Sequence, residues 1–287
     1  MTEKKPEIIR DPQELQRRLT ELRKQGKTIG LVPTMGALHY GHLSLVIAAK
    51  EESDISVVSI FVNPTQFAPN EDFDKYPRTL DDDVDLLSQI GVDFIFAPTP
   101  EKMYPRGFKS TVQVGGLSEV LEGSFRPTHF NGVTTVVLKL FNITGADFAY
   151  FGQKDYQQVA VVKKMVRDLN LPIEIISCPI IREEDGLALS SRNRYLSPTD
   201  RKNAIILSQS LQKAEKLIHS GERNAQTVRD EIRRMIETVP NAQIDYIAIV
   251  DPDSLIELEN IAGNVVILLA VRIGSTRLID NWIVRPK

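Results

Sequence analysis

Two histidines three positions apart, His39 and His42, stand in the run Pro33-Thr34-Met35-Gly36-Ala37-Leu38-His39-Tyr40-Gly41-His42. They are two of only four histidines in the chain. Gly36 and Gly41 let the backbone approach a ligand closely. An apolar run, Thr28–Val32, precedes the segment and reads as a buried strand. Leu43, Val46 and Ile47 follow it at helical spacing. A strand-to-helix turn leaves the first helical N–H groups without partners, and such groups receive anions. The chemistry expected here is therefore phosphate binding. A metal pair is the weaker reading, because no cysteine and no third histidine lies nearby in sequence.

Other segments offer groups suited to the same task. Phe151-Gly152-Gln153-Lys154-Asp155 ends one predicted strand and starts a helix. Gly152 permits close approach, Lys154 supplies a positive charge, and Asp155 suits a helix cap. Leu189-Ser190-Ser191-Arg192-Asn193-Arg194 sets hydroxyls beside arginine, a combination that suits phosphate oxygens and also suits a polar hinge. Asn63 and Gln66, in Phe61-Val62-Asn63-Pro64-Thr65-Gln66-Phe67, donate and accept at once and fit a small polar pocket. Asp81-Asp82-Asp83 complements a helix dipole, with magnesium as its second reading. His129, in Arg126-Pro127-Thr128-His129-Phe130-Asn131-Gly132, reads equally as a substrate-loop residue or an ordinary loop histidine. His219, Trp282 and Cys178 lack supporting neighbours and read as structural.

The elements that must position these groups alternate. A helix capped by Asp11-Pro12 ends at Gly26; strand Thr28–Val32 leads through the histidine turn to helix Leu43–Lys50. Ile55–Val62 is apolar enough for a central parallel strand, and a loop over 63–77 follows. Thr79 is expected to cap a helix stopped by Gly91, before strand Val92–Phe96. Val133–Phe141 marks a helix, then strand Phe148–Phe151, helix Tyr156–Leu169 and strand Ile173–Ser177. This alternation predicts an α/β fold with a doubly wound parallel sheet over residues 1–182. Residues 183–287 read as a smaller α+β domain, closing over the nucleotide as a lid. It comprises one long helix from Ser197-Pro198 to His219, a second from Asn224 to Thr238, and strands Gln243–Val250, Val265–Val271 and Thr276–Val284.

With 287 residues, 42% hydrophobic and 25% charged, the chain has the bulk of an ordinary globular protein with ample core. A net charge of −3 argues against a nucleic-acid or membrane partner. The single cysteine rules out an intrachain disulfide and fits a reducing cytosol. Met1–Glu7 lacks the apolar stretch of a signal peptide, so a cytoplasmic location is expected.

The histidine turn resembles the H-x-G-H motif of the nucleotidyltransferase superfamily. In combination, Pro33–His39 with Gly41-His42, Phe61–Phe67, Tyr76-Pro77-Arg78-Thr79, Gly152–Asp155 with Gln157-Gln158, and Asp185–Ala188 with Ser190–Asn193 resemble the pantoate–β-alanine ligase (pantothenate synthetase) family. Tyr40 stands where that family often has glutamate, and Leu189 where methionine commonly precedes the serines; a methionine-to-leucine exchange nearly conserves volume. The resemblance implies a Rossmann-like fold, ATP with Mg2+, and two half-reactions: pantoate is adenylated with loss of pyrophosphate, then β-alanine displaces AMP. It implies a homodimer. It makes His42 a proton donor, whereas the residue's place at the helix start reads as a hydrogen-bond donor to the phosphates; catalysis is expected of His39, His42, Lys154 and Arg192. It assigns ATP binding to Met35, Gly36, Ala37, Leu38, His39, Tyr40, Gly41, His42, Gly152, Gln153, Lys154, Asp155, Ile181, Leu189, Ser190, Ser191 and Arg192. The pantoate and β-alanine site is expected at Asn63, Gln66, His129 and Gln158, and a metal, as the second reading of the acidic run, at Asp82 and Asp83. The rivals are a small nucleotidyltransferase or class I aminoacyl-tRNA synthetase, and a non-catalytic nucleotide-sensing module. A synthetase needs an RNA-binding domain and a basic surface; a sensor has no need of all four charged and imidazole groups.

Overall fold

A computed structural model describes residues 5–68, 71 and 73–286 of the chain. The loop expected over 63–77 therefore falls partly outside the described residues, at Pro69, Asn70 and Asp72, as do Met1–Lys4 of the amino-terminal segment. The chain divides into two units: Met1–Gln153 with Gln157–Pro179, and Lys154–Tyr156 with Ile180–Lys287.

The first unit is built on six parallel strands: β1 (Glu7–Ile9), β2 (Ile29–Thr34), β3 (Ile55–Ile60), β4 (Phe94–Phe96), β5 (Phe148–Gly152) and β6 (Glu174–Cys178). Their spatial order is β1-β4-β3-β2-β5-β6. The crossovers are helical: α1 (Pro12–Lys24), α2 (Tyr40–Glu52), α3 (Leu80–Ile90), the one-turn helices α4 (Pro100–Met103) and α5 (Glu122–Phe125), α6 (His129–Thr144) and α7 (Tyr156–Asp168). Their starts and stops follow local chemistry. Asp11 accepts from the Gln13 and Glu14 amides to open α1, with Pro12 in its first turn. Gly91, at φ +79°, closes α3 in the left-handed conformation.

Val32, Val58 and Ile95 lie in register on β2, β3 and β4 and are fully buried with Leu45, Val46 and Leu87. Leu31 and Val57, pointing the other way, are fully buried too. Both faces of the sheet are covered, which is why β3 reads as a nearly continuous apolar run. From β2 the strand order steps outward through β3 and β4, then returns to β5 on the other side of β2. Loops leaving the carboxyl ends of β2 and β5 thus emerge side by side, at the switch point where open parallel sheets collect ligands.

The second unit contains helices α8 (Pro198–Asn203), α9 (Ile206–His219) and α10 (Ala225–Ile236) and the antiparallel sheet β7 (Ala242–Val250), β8 (Val265–Ile273), β9 (Thr276–Val284). Leu207, Leu211 and Ile218 of α9 and Ile232 of α10 pack on Ile267 and Leu269 of β8. Each such buried side chain contributes roughly 1.5–3 kcal/mol.

Two expectations are corrected, and one strand is new. The helix from Ser197-Pro198 is not continuous: Ala204 and Ile205 form a turn between α8 and α9. Both keep helical dihedrals, so only the hydrogen-bond ladder is interrupted. Thr79 precedes α3 but makes no side-chain capping bond. Strand β1, paired with β4, was not expected from its sequence. No helix among the described residues is long and apolar enough to cross a membrane.

Candidate functional site

The turn after β2 is wound tightly. Gly36 (φ +80°) and Ala37 (φ +51°) both adopt left-handed backbone. A Cβ on Gly36 would stand 3.0 Å from Asp83 Oδ2 and 3.1 Å from the Ile60 side chain, so the strained turn has no room for a larger residue. Three amides of the turn that the sequence left open have acceptors within the protein. Gly36 N–H donates to Thr34 Oγ1 (3.2 Å), Ala37 N–H to Asp83 Oδ2 (3.0 Å) and Leu38 N–H to Asp83 Oδ1 (2.8 Å). His39 caps α2, its Nδ1 accepting from the Gly41 amide at 3.1 Å. His42 Nδ1 accepts from the His39 amide at 3.4 Å. The H-x-G-H pattern is thus a reciprocal capping box made of two imidazoles. Their rings lie 4.1 Å apart, centroid to centroid. A ring nitrogen that accepts carries no hydrogen, so the acceptor roles assign both rings the neutral form with hydrogen on Nε2. Leu38 is buried in the core and brings only its backbone to the turn, whereas Tyr40 is 77% exposed.

Asp83 was expected to serve the helix dipole or a metal. Its side chain is buried, and both carboxylate oxygens accept backbone amides 45 and 46 residues away. Burial pushes its carboxyl above the ordinary value, against the downward pull of the Leu38 and Ala37 amides. Asp82, beside it, is exposed. No cluster of three or more His, Cys, Asp or Glu suited to a metal occurs among the described residues. A carboxylate with both oxygens committed to amides does not fit a Mg2+ ligand.

The loop after β3 is organised around Asn63 and Gln66. Asn63 is buried, its Nδ2 donating to Gln66 Oε1 and the Gly132 carbonyl, both at 3.1 Å. Its Oδ1 accepts from Tyr104 Oη (2.8 Å) and Thr65 Oγ1 (2.9 Å). Through these bonds the Asn63 carboxamide holds Gln66 in place. His129 holds the same loop from α6. Its Nδ1 lies 2.9 Å from the Gln66 carbonyl and its Nε2 3.3 Å from Arg126 Nη1. Since the guanidinium only donates, Nδ1 carries the hydrogen and holds the Gln66 backbone. Burial, with the nearby Arg126 charge, pushes the His129 ring down to about 4, so it is neutral. Arg126 itself forms a two-bond pair with Glu71, at 2.7 and 2.6 Å. Burial works to raise the Glu71 carboxyl, but the Arg126 bonds and charge outweigh it and hold it below its ordinary value. Gln66 Nε2 then points at Met35 Sδ, 3.1 Å away. A thioether is a weak acceptor, so this amide is under-satisfied and suited to exchange the sulfur for a ligand oxygen.

Beyond β5, Gly152 leads into a single 3-10 turn, Gln153–Asp155, with exposed Asp155 3.9 Å from Lys154 Nζ. Of the two glutamines that follow, buried Gln157 donates to the Leu117 and Val120 carbonyls and accepts from the Glu122 amide. Gln158 is half-buried and makes no such bonds, so it is the one of the pair suited to a ligand. Within the second unit, the Lys154 carbonyl accepts from Asn281 Nδ2 at 3.0 Å. Adjacent Asp280, fully buried, forms a two-bond pair with Arg182. In the same unit Ile181 accepts the Leu189 amide (3.0 Å), and Ser190 Oγ accepts the Arg192 amide (3.3 Å) to cap the 3-10 turn Ser191–Tyr195. Asn193 ties that turn to Glu183 and to the Ala188 carbonyl.

The profile of the family described as pantoate-beta-alanine ligase matches residues 7–283. The chain belongs to the pantoate–β-alanine ligase family. It is an enzyme of that family, a ligase. Pantothenate synthetases from Acetivibrio thermocellus and Moorella thermoacetica are 60% and 59% identical to it, each over 90% of this chain and 92% of the relative. The solved pantothenate synthetase of Thermus thermophilus superposes with a TM-score of 0.93 at 45% identity, covering 98% of this chain and 100% of the other. The Francisella tularensis pantoate-beta-alanine ligase, solved in complex with beta-gamma ATP and beta-alanine, gives 0.79 at 38% identity, with 97% of each chain covered. These matches decide against the synthetase and sensor readings.

For a pantoate–β-alanine ligase, the sequence reading missed Glu71, Arg126, Gly132, Arg182, Asp280 and Asn281. A readable signal existed for two of them. Arg126, His129 and Gly132 recur every third residue at the entry to α6, the spacing of one helical face. A Cβ on Gly132 would lie 2.4 Å from the Thr65 carbonyl oxygen and 2.6 Å from the Gln66 amide, so only glycine admits this approach.

Proposed function

We propose that this ligase condenses (R)-pantoate with β-alanine to pantothenate, using ATP and passing through pantoyl adenylate. The observation that carries the reading is the 3.1 Å contact between Gln66 Nε2 and Met35 Sδ, which sets the acid-holding glutamine against the phosphate turn. A carboxylate held by Gln66 and Gln158 is aimed at a phosphate held beside His39 and His42. In the first step a pantoate oxygen attacks the α-phosphorus, and the bond to the bridging oxygen breaks, releasing pyrophosphate. In the second step the β-alanine amine attacks the acyl carbon. The carbon–oxygen bond to AMP breaks, and the amine loses a proton.

The residues supply positioning and charge. His39 and His42 give Nε2–H donors to oxygens that gain charge in the transition state. With Nδ1 turned to the His39 amide, His42 serves the phosphates as a hydrogen-bond donor through Nε2. Lys154 and Arg192 oppose the charge on the phosphates, with Ser190 and Ser191 as neutral donors. Gly152, Gln153, Ile181 and Leu189 are assigned backbone contacts to the nucleotide. Mg2+ arrives with the triphosphate as part of the substrate. Holding acid and phosphorus in attack geometry provides much of the acceleration. We also propose a homodimer, as family resemblance implies, which sedimentation equilibrium tests. The reaction is tested by product analysis with pantoate and ATP. Without β-alanine, pyrophosphate is released in an amount matching the enzyme; with β-alanine, AMP turns over. Formation of ADP in place of AMP contradicts the reading.

A further inference from the structure

We infer that Asp83 is a positioning residue of the phosphate turn and not a cation ligand. The proposal rests on the assignment of that turn to ATP and deepens it. Asp83 is buried, and each carboxylate oxygen accepts one amide of the turn, Leu38 at 2.8 Å and Ala37 at 3.0 Å. Both bonds are charge-assisted and of ordinary length. Ala37 is held with positive φ, which a residue with a Cβ rarely adopts without compensation. The Asp83 bonds supply that compensation. They take up two amides of the turn, and the Thr34 hydroxyl and the imidazoles engage those of Gly36, His39 and Gly41. By fixing the Ala37 and Leu38 amides, Asp83 fixes the path of the turn and with it the place of His39 and His42 at the start of α2. Gly36 belongs to the same device, since a Cβ there would press on Asp83 Oδ2.

The test is Asp83→Asn, which keeps size but presents an NH2 to one of the two amides. Amide exchange is followed by NMR on the full chain. Ala37 and Leu38 are protected in the wild type, and they exchange at least about tenfold faster in Asp83→Asn, the scale of one lost charge-assisted bond. Asp82→Asn leaves both amides protected. In steady state, Asp83→Asn raises the KM for ATP by about tenfold or more, while the KM for pantoate and the Mg2+ concentration for half-maximal rate stay at wild-type values. Wild-type exchange rates in Asp83→Asn overturn the proposal. So does a raised Mg2+ requirement in both the Asp82 and Asp83 variants that excess Mg2+ repairs. Should Asp83→Asn fail to fold, Mg2+ alone added to the wild type decides. Unmoved Ala37 and Leu38 resonances support positioning, and shifted ones overturn it. If the wild type made no AMP from pantoate, the functional reading would fail while amide exchange still judged Asp83.

Discussion

In the turn after β2, His39 and His42 cap each other across three positions, and Asp83 adds one distant tie to the Ala37 and Leu38 amides. The loop after β3 is held from afar: His129 reaches the Gln66 carbonyl across 63 residues, and the Gly132 carbonyl accepts from Asn63 across 69. In both places the groups that shape the site differ from the groups offered to a ligand. In the turn one side chain does both, Nδ1 facing the backbone and Nε2 bearing the donor hydrogen. In the loop Asn63 and His129 hold Gln66, whose Nε2 faces only the Met35 sulfur. Local construction makes a motif readable in sequence, and long-range construction hides it.

The largest expected effect breaks the turn. His42→Ala removes a transition-state donor and the cap on His39 together, and slows adenylate formation by about 10²–10³-fold, the usual range for one such donor. Rapid-quench measurement of pyrophosphate release checks it. A change below threefold would mean that the turn's imidazoles do not face the reacting phosphate.

Much of the architecture was legible for the same reason. β3 appears where an apolar run announced it, α1 opens at Asp11-Pro12, and α3 closes at Gly91, because those signals are local. The break at Ala204–Ile205 carries no glycine or proline and keeps helical dihedrals, so nothing in the sequence marks it. β1 is only three residues long and is defined by its pairing with β4. Asp83 had a sufficient local explanation at the start of α3, and its actual partners lie 45 and 46 residues back. Asn63 and His129 were picked out by residue type, but their roles depend on burial and on Arg126, which no spacing within the loop reveals.

The next effect concerns the scaffold histidine. Folding moves the His129 ring from 6.5 to about 4. Between these values the unfolded chain binds more protons, so stability rises with pH through that window and falls as the medium is acidified. At 1.36 kcal/mol per pH unit, the group accounts for about 3 kcal/mol of stability present above pH 6.5 and lost by pH 4. His129→Asn keeps a donor for the Gln66 carbonyl but cannot titrate. Urea unfolding at pH 7 and pH 4.5 should show a smaller difference for the variant than for the wild type. Equal differences would mean that His129 is charged in the folded state.

The smallest effect separates the two regions most sharply. Gly132→Ala drives a methyl into the Thr65–Gln66 backbone and displaces Gln66. A small misplacement of a positioning group is costly, and the KM for pantoate should rise by about tenfold while that for ATP changes little. Equal rises for both substrates would make turn and loop a single unit, contrary to the division of tasks drawn here.

Transfer of oxygen from the acid tests the central chemistry most directly. Pantoate carrying 18O in its carboxylate is turned over with ATP and β-alanine, and the products are weighed by mass spectrometry. Attack on the α-phosphorus places one labelled oxygen in AMP and none in pyrophosphate. Unlabelled AMP, or label in inorganic phosphate accompanied by ADP, would contradict the account.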